Sequence, residues 1–279
     1  MVQWPCDGVQ SSTRERRGTA DADCCTRADP GPAAIVAPGV LRTVQMRGMV
    51  ATVADPSSPF LDALLPVGSR KLAAHANAVT CVLAGRTGPL RLECDGRRVD
   101  GDILLVRPGV VHAVALAERG ADVLYLNGLA FPFEAPLAQA LSGVLAHLAS
   151  DALRGDRCAM HELRARLTAP APRLPTGIAE VVRAIYADPM QRMSQGELAR
   201  RLRMERTRAL RCFKAATGQT FRDFKRWSAL QHAAQLMAEG ALVRTAAMDA
   251  GFADTAHLSR VFRRGFGLTP SAAIAGLGQ

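Results

Sequence analysis

Apolar residues change their spacing along the chain, and each change marks a new kind of structure. Between about 35 and 130 they come in short runs bounded by glycine and proline: residues 79–83, 90–94, 103–106, 110–111 and 123–126. Runs of that length with turn punctuation predict short antiparallel strands closing into a barrel or sandwich. From 134 to 168 the spacing becomes helical. Leu137, Leu141, Val144, Leu145 and Leu148 fall on one stripe, and Leu163 and Leu167 resume it after a break at Arg154-Gly155-Asp156. One helix face can pack on the barrel, which needs no partner; the alternative is a homodimer through residues 134–168. Residues 169–177 hold three prolines in nine positions, a semi-stiff linker and the clearest domain boundary. Past it, Ile178, Val181, Val182 and Ile185 follow the i, i+3, i+4, i+7 rule of a helix that stops near Pro189. Residues 1–34 are polar and without periodicity, which predicts a disordered tail.

The chain turns on a repeat in its last third. Arg211-Cys212-Phe213-Lys214 leads to Gly218 and Thr220, and Arg260-Val261-Phe262-Arg263 leads to Gly267 and Thr269; Phe262 stands 49 residues after Phe213. A repeat of this kind reveals a supersecondary unit. In the first unit Ser194 and Glu197 read as a capping box opening a helix with Leu198, Ala199 and Leu202 inward. A second helix over 205–216 is anchored by Ala209 and Phe213. In the second unit Gly251 ends one helix, and Asp254 caps another that buries Leu258, Val261 and Phe262. Two short helices joined by a tight turn, the second basic and polar on its outer face, make a helix-turn-helix reader. Between the units Phe221, Phe224, Trp227, Leu230, Ala234 and Met237 are spaced as the buried face of a linking helix. About 20 helical residues span about 30 Å, close to the roughly 34 Å at which a major groove recurs. One chain can therefore present two readers a DNA turn apart.

The stretch from Gly251 through Asp254, His257-Leu258-Ser259-Arg260 and Phe262 to Thr269-Pro270 resembles the DNA-binding domain of AraC/XylS-type transcription regulators, and the likeness extends over roughly 100 residues from Ile178. The first unit departs from the family pattern, with Arg203 and Glu205 at the turn's usual Gly and Ser, Ala209 at a core leucine and Ala229 at a common arginine. Upstream, Gly101-Asp102, Pro108-Gly109 and His112 are similar to the second motif of cupin barrels. The resemblance implies a multidomain protein: a cupin-like antiparallel β-barrel with flanking helices over 35–168, the linker 169–177, and an all-α domain with two helix-turn-helix units over 178–279. In metal-binding cupins the histidine joins a His-x-His and a Glu. Here the earlier region offers only His75, so no metal or other cofactor is expected; His112 reads either as a structural histidine hydrogen-bonded at the barrel mouth or, with His75, as lining a small-molecule pocket there.

Charge sharpens the division. Residues 178–279 carry 16 Lys/Arg against 8 Asp/Glu, most of the chain's net +10, as a phosphate-backbone binder requires. Arg211 and Arg260, at equivalent places, can fork onto guanine edges. Thr207, Thr255 and His257 are further base-edge candidates; Lys214, Arg263 and Arg264 suit phosphates, and Arg206, Arg208 and Ser259 share the same faces. Seven cysteines without a C-x-x-C argue against a disulfide framework. No run of about 18 apolar residues and no apolar leader occur, so a cytoplasmic protein is expected. No Ser-His-Asp pattern, P-loop or G-x-G-x-x-G stretch points to catalysis. The reading is a sequence-specific, effector-modulated transcription regulator, touching RNA polymerase if it activates. The alternatives are a cupin-type metalloenzyme with a DNA-binding appendage, or a nonspecific architectural DNA binder.

Overall fold

The computed structural model describes residues 51–54, 59–69, 71–132, 134–167, 174–190 and 193–277. The tail expected over 1–34, with Cys24 and Cys25, lies outside these residues, as does most of the linker.

The first half builds β1 (Ala51–Ala54), β2 (Leu61–Val67), β3 (Lys71–Ala76), β4 (Thr80–Gly85), β5 (Leu90–Cys94), β6 (Arg97–Gly101), β7 (Ile103–Val106), β8 (Val111–Ala115), β9 (Ala121–Leu126) and β10 (Ala138–Ala140). All pairings are antiparallel, in a six-stranded sheet ordered β1-β2-β9-β4-β7-β10 and a four-stranded sheet ordered β3-β8-β5-β6. Among the described residues the expected barrel or sandwich is two facing sheets that do not close. Central strands of the larger sheet are buried on both faces, which is why they read as continuous apolar runs. Leu104 and Val106 of β7 point between the sheets, while Ile103 and Leu105 point outward under two helices. Turns follow local chemistry. Asp95 and Gly96 both take positive φ, 48° and 68°, in the two-residue hairpin joining β5 to β6.

Helices α1 (Gly143–Leu153) and α2 (Arg157–Leu167) cover the larger sheet's outer face, placing Leu145, Leu148, Leu163 and Leu167 there. Part of the stripe expected over 134–168 does not follow. Residues 138–140 pair with β7 as a strand, and Leu137 and Val144 are exposed. Arg164 of α2 reaches through to Asp62 of β2, its Nη1 2.8 Å from both carboxylate oxygens, while its Nη2 donates to the Asn127 carbonyl. Both side chains are largely buried, so each charge depends on the other.

The second half is helical: α3 (Thr176–Ala187), α4 (Gln195–Leu202), α5 (Arg206–Thr217), α6 (Phe221–Ala238), α7 (Val243–Asp249), α8 (Thr255–Phe266) and α9 (Pro270–Leu277). Its caps are side-chain oxygens on backbone N–H groups: Ser194 on Glu197, Glu205 on Arg208, Thr220 on Asp223 and Asp254 on His257. The return arm expected of the Glu197 capping box is replaced, since that carboxylate accepts from Arg201 one turn on. The aromatic face of α6 is core, as its spacing predicts.

Three cores result, and two of them run across the boundary between the sheet half and the helical half. Phe60, just before β2, packs with Phe213, Phe221 and Phe224 of the first reader's core. Residues between the sheets are continuous with Trp227, Leu230, Leu258, Phe262 and Phe266.

Candidate nucleic-acid interface

The two readers are α4–α5 and α7–α8. Each second helix buries one face through residues at matching repeat positions, Ala209 and Phe213 in α5, Leu258 and Phe262 in α8, all fully buried. The opposite face is then fixed by the 3.6-residue period. Arg206, Thr207, Arg208, Arg211 and Lys214 stand exposed on α5, and Thr255, Arg260, Arg263 and Arg264 stand exposed on α8. Ser259 and His257 are half-buried. The His257 Nδ1 faces the Ala253 N–H at 3.5 Å and the ring packs edge-on against Phe252, which turns this side chain back toward the helix start.

The turns differ. Arg203 adopts the left-handed conformation at φ 51° and ψ 43°, two residues before the cap Glu205. Gly251 does so at φ 77°, three residues before the cap Asp254. Glycine enters this region without penalty and arginine does not. Equivalent outward positions also differ in charge: Arg206 against Thr255 and Arg208 against His257, with arginine kept in both at Arg211 and Arg260. The first reader is the more cationic, and the second has more groups suited to base edges.

Sequence reasoning did not find that the sheet domain grips the second reader. The Ala73 N–H of β3 donates to the Gly267 carbonyl at 2.9 Å, and Asn77 Nδ2 donates to the Gly265 carbonyl 188 residues away. Tyr125 of β9 stacks edge-on with Trp227 at 5.3 Å and with Phe266 at 5.4 Å between centroids. These side chains look like ordinary strand and helix core in one dimension, because apolar periodicity says that a face is buried but not against what.

His75 and His112 are cross-strand partners whose rings lie 4.2 Å apart, buried beneath the end of α8. The structure brings this pair together under a helix, and His112 also lines a cleft with Glu93, Cys94 and Arg97. Each Nδ1 bonds a carbonyl two residues back, Ala73 at 2.8 Å and Val110 at 2.9 Å. A carbonyl only accepts, so each Nδ1 carries the proton and the neutral tautomer is set. Burial, then the neighbouring His112, lower the His75 pKa to about 4, and burial lowers that of His112. Among the described residues no third His, Cys, Asp or Glu converges on them as a metal-ligand set. No described helix is long and apolar enough to cross a membrane.

A search of curated protein sequences gives no match. Residues 198–275 match a family model described as a helix-turn-helix domain. Among solved structures the chain is similar to ToxT from Vibrio cholerae O395, at 12% identity and a TM-score of 0.54, over 77% of this chain and 96% of that one. It is also similar to the same protein bound to (E)-4-(8-methylnaphthalen-1-yl)but-3-enoic acid, at 11% identity and a TM-score of 0.52, over 77% of this chain and 97% of that one. At such identity the likeness concerns the fold, a sheet domain followed by a helical reader domain. Residues 198–275 are a helix-turn-helix domain.

Proposed function

We propose that the protein is a sequence-specific DNA-binding transcription regulator whose output is set by a small molecule acting through the sheet domain. The observation that carries the reading is the repeated reader: Arg211 and Arg260 recur 49 residues apart, both exposed on helices whose other faces are locked into a core. Arg260 and Thr255 contact base edges, with Ser259 and His257 closing the edge of that face. Arg206, Arg208, Lys214, Arg263 and Arg264 neutralise phosphates, and Arg211 with Thr207 completes the first reader. Helix α6, 18 residues and about 27 Å long, keeps the readers about one groove repeat apart.

Effector control is supported by the shared core: a change between the sheets reaches Phe266 and Trp227 without crossing solvent. A structure of the fold neighbour ToxT holds a naphthalenyl butenoic acid. Leu137 and Val144, left outward by α1 and its approach, offer a surface for a second copy within 134–168. A surface for RNA polymerase belongs to this reading if the protein activates. The metalloenzyme reading would need a third ligand beside the two histidines, whose Nδ1 bonds leave each Nε2 as the atom to coordinate, and among the described residues no group of three His, Cys, Asp or Glu converges there.

The test is competition at fixed salt. Full-length protein bound to a selected DNA should resist random-sequence competitor by a factor of about a thousand or more. Its affinity should fall steeply as salt rises, because lysine and arginine contacts release counterions. Equal displacement by specific and random DNA would leave only the architectural binder.

A further inference from the structure

Where β2 meets α3 and α6, Leu61, Ala63, Tyr186, Ser228, Gln231 and Gln235 line a cavity of about 50 Å³. Four of the ten buried side-chain N and O atoms without a partner among the described residues converge on it: Tyr186 Oη, Ser228 Oγ, and both Nε2 and Oε1 of Gln231. The Leu61 backbone lies beside the Tyr186 phenol but forms no well-shaped hydrogen bond with its oxygen. Buried polar groups are nearly always satisfied, and a group left bare weakens the fold. Four on three neighbouring side chains mark a place built for something else to complete.

The chemistry of the wall specifies the guest. Two hydroxyls and a primary amide each donate and accept. No lysine, arginine, aspartate or glutamate lines the cavity; Pro189 and His232 complete it. Asp62 and Arg164, the nearby charges, are bonded to each other. A carboxylate would lose its hydration with no lysine or arginine in the wall to meet it. At roughly 10–15 Å³ per water position, the volume of about 50 Å³ admits about three to five waters, or a molecular fragment of about that many heavy atoms.

We propose that this cavity is a binding site for an uncharged small molecule, or the uncharged end of a larger one, that both donates and accepts hydrogen bonds: an amide, a urea or a polyol. The guest joins β2 of the sheet domain to the helix that holds the two readers together. The inference deepens the effector reading above and rests on it for its consequence, though not for the binding itself.

Acetamide and acetate are a matched pair of probes, alike in shape, one neutral and the other anionic. In NMR titrations of the full-length, isotopically labelled protein, acetamide should give saturable shifts confined to β2, the end of α3 and α6. Acetate should bind at least about tenfold more weakly. Combining Ser228→Ala with Gln231→Leu should abolish the acetamide shifts while the protein melts at or above the wild-type temperature, because bare polar groups have been removed. Tyr186→Phe, which takes away one oxygen, should weaken binding about three- to tenfold. No saturable shift with acetamide, acetate binding as well as acetamide, or unchanged binding in both variants would overturn the site. Selective DNA binding measured on the same samples keeps the two readings apart. If selectivity persists without acetamide binding, only the site fails; if acetamide binds to a protein without DNA selectivity, the regulator reading fails.

Discussion

At the scale of single residues, Arg203, Arg211 and Arg260 separate what holds a reader together from what it reads. A side chain bearing a Cβ costs roughly 1 kcal/mol in the left-handed region, and Arg203 sits there, exposed, at φ 51°. Arg203→Gly should therefore raise the urea unfolding midpoint by up to about 1 kcal/mol in stability, less the chain entropy that glycine restores to the unfolded state. A lower midpoint would show that arginine's own contacts outweigh the strain. Arg260→Ala should lose about 1–3 kcal/mol of DNA affinity and relax preference at one base pair. Arg211→Ala, flanked by Arg206, Arg208 and Lys214, should lose less and act evenly across sequences. Binding of both variants to selected and scrambled DNA at one salt concentration checks this; sequence preference lost with Arg211 and kept with Arg260 would reverse the assignment. The exposed arginines were legible in the sequence because the repeat fixes which face is inward. The backward turn of His257 was not, since it depends on the ring of Phe252 and the Ala253 N–H meeting in space.

At the scale of elements, the join of β3 to the end of α8 is the sharpest constraint. Gly267 has φ 75°, and a Cβ there would stand 2.6 Å from His75 Nδ1 and 2.8 Å from the Ala73 carbonyl. Gly267→Ala meets both backbone strain and a clash, so it should destabilise by about 2 kcal/mol or more, seen as a lower melting temperature of the whole chain. The same join makes stability depend on pH. The folded-state pKa of His75 is lowered from 6.5 to about 4, so the unfolded chain binds more protons between those values. Stability is full above about pH 6.5 and is lost as pH falls toward 4, by on the order of 3 kcal/mol from this residue. His112 adds in the same direction. Melting curves across this window should flatten in a His75→Gln variant; an unchanged slope would place the titration elsewhere. Strands buried on both faces, such as β7, were legible as apolar runs. β6, Arg97–Gly101, was not, because its face is polar; the Asp95-Gly96 pair before it was the available clue. β10 was read as part of a helix because Leu137 and Leu141 share a four-residue spacing, and its pairing with β7 is a long-range fact that spacing cannot carry.

At the scale of the whole molecule, sequence periodicity divides the chain at the prolines of 169–177, yet two cores run across that division through Phe60 and through Tyr125, Trp227 and Phe266. Isolating the helical part would expose these aromatic faces, so effects of the sheet domain on the readers belong to the intact chain. The buried Asp62–Arg164 pair fastens the helical cover to β2 beside the junction. Asp62→Ala leaves a guanidinium buried without its partner and should cost about 3–5 kcal/mol, measurable as a shifted denaturant midpoint. On the proposed function, two unequal readers in one chain read DNA sequence. This is tested most directly by selecting bound sequences from a random double-stranded pool with the full-length protein at near-physiological salt. The expected result is an enriched site of two short elements about 10–10.5 base pairs apart, one sharply defined and lost in Arg260→Ala, the other weaker. A pool that stays random through successive rounds while the protein still binds DNA would contradict it.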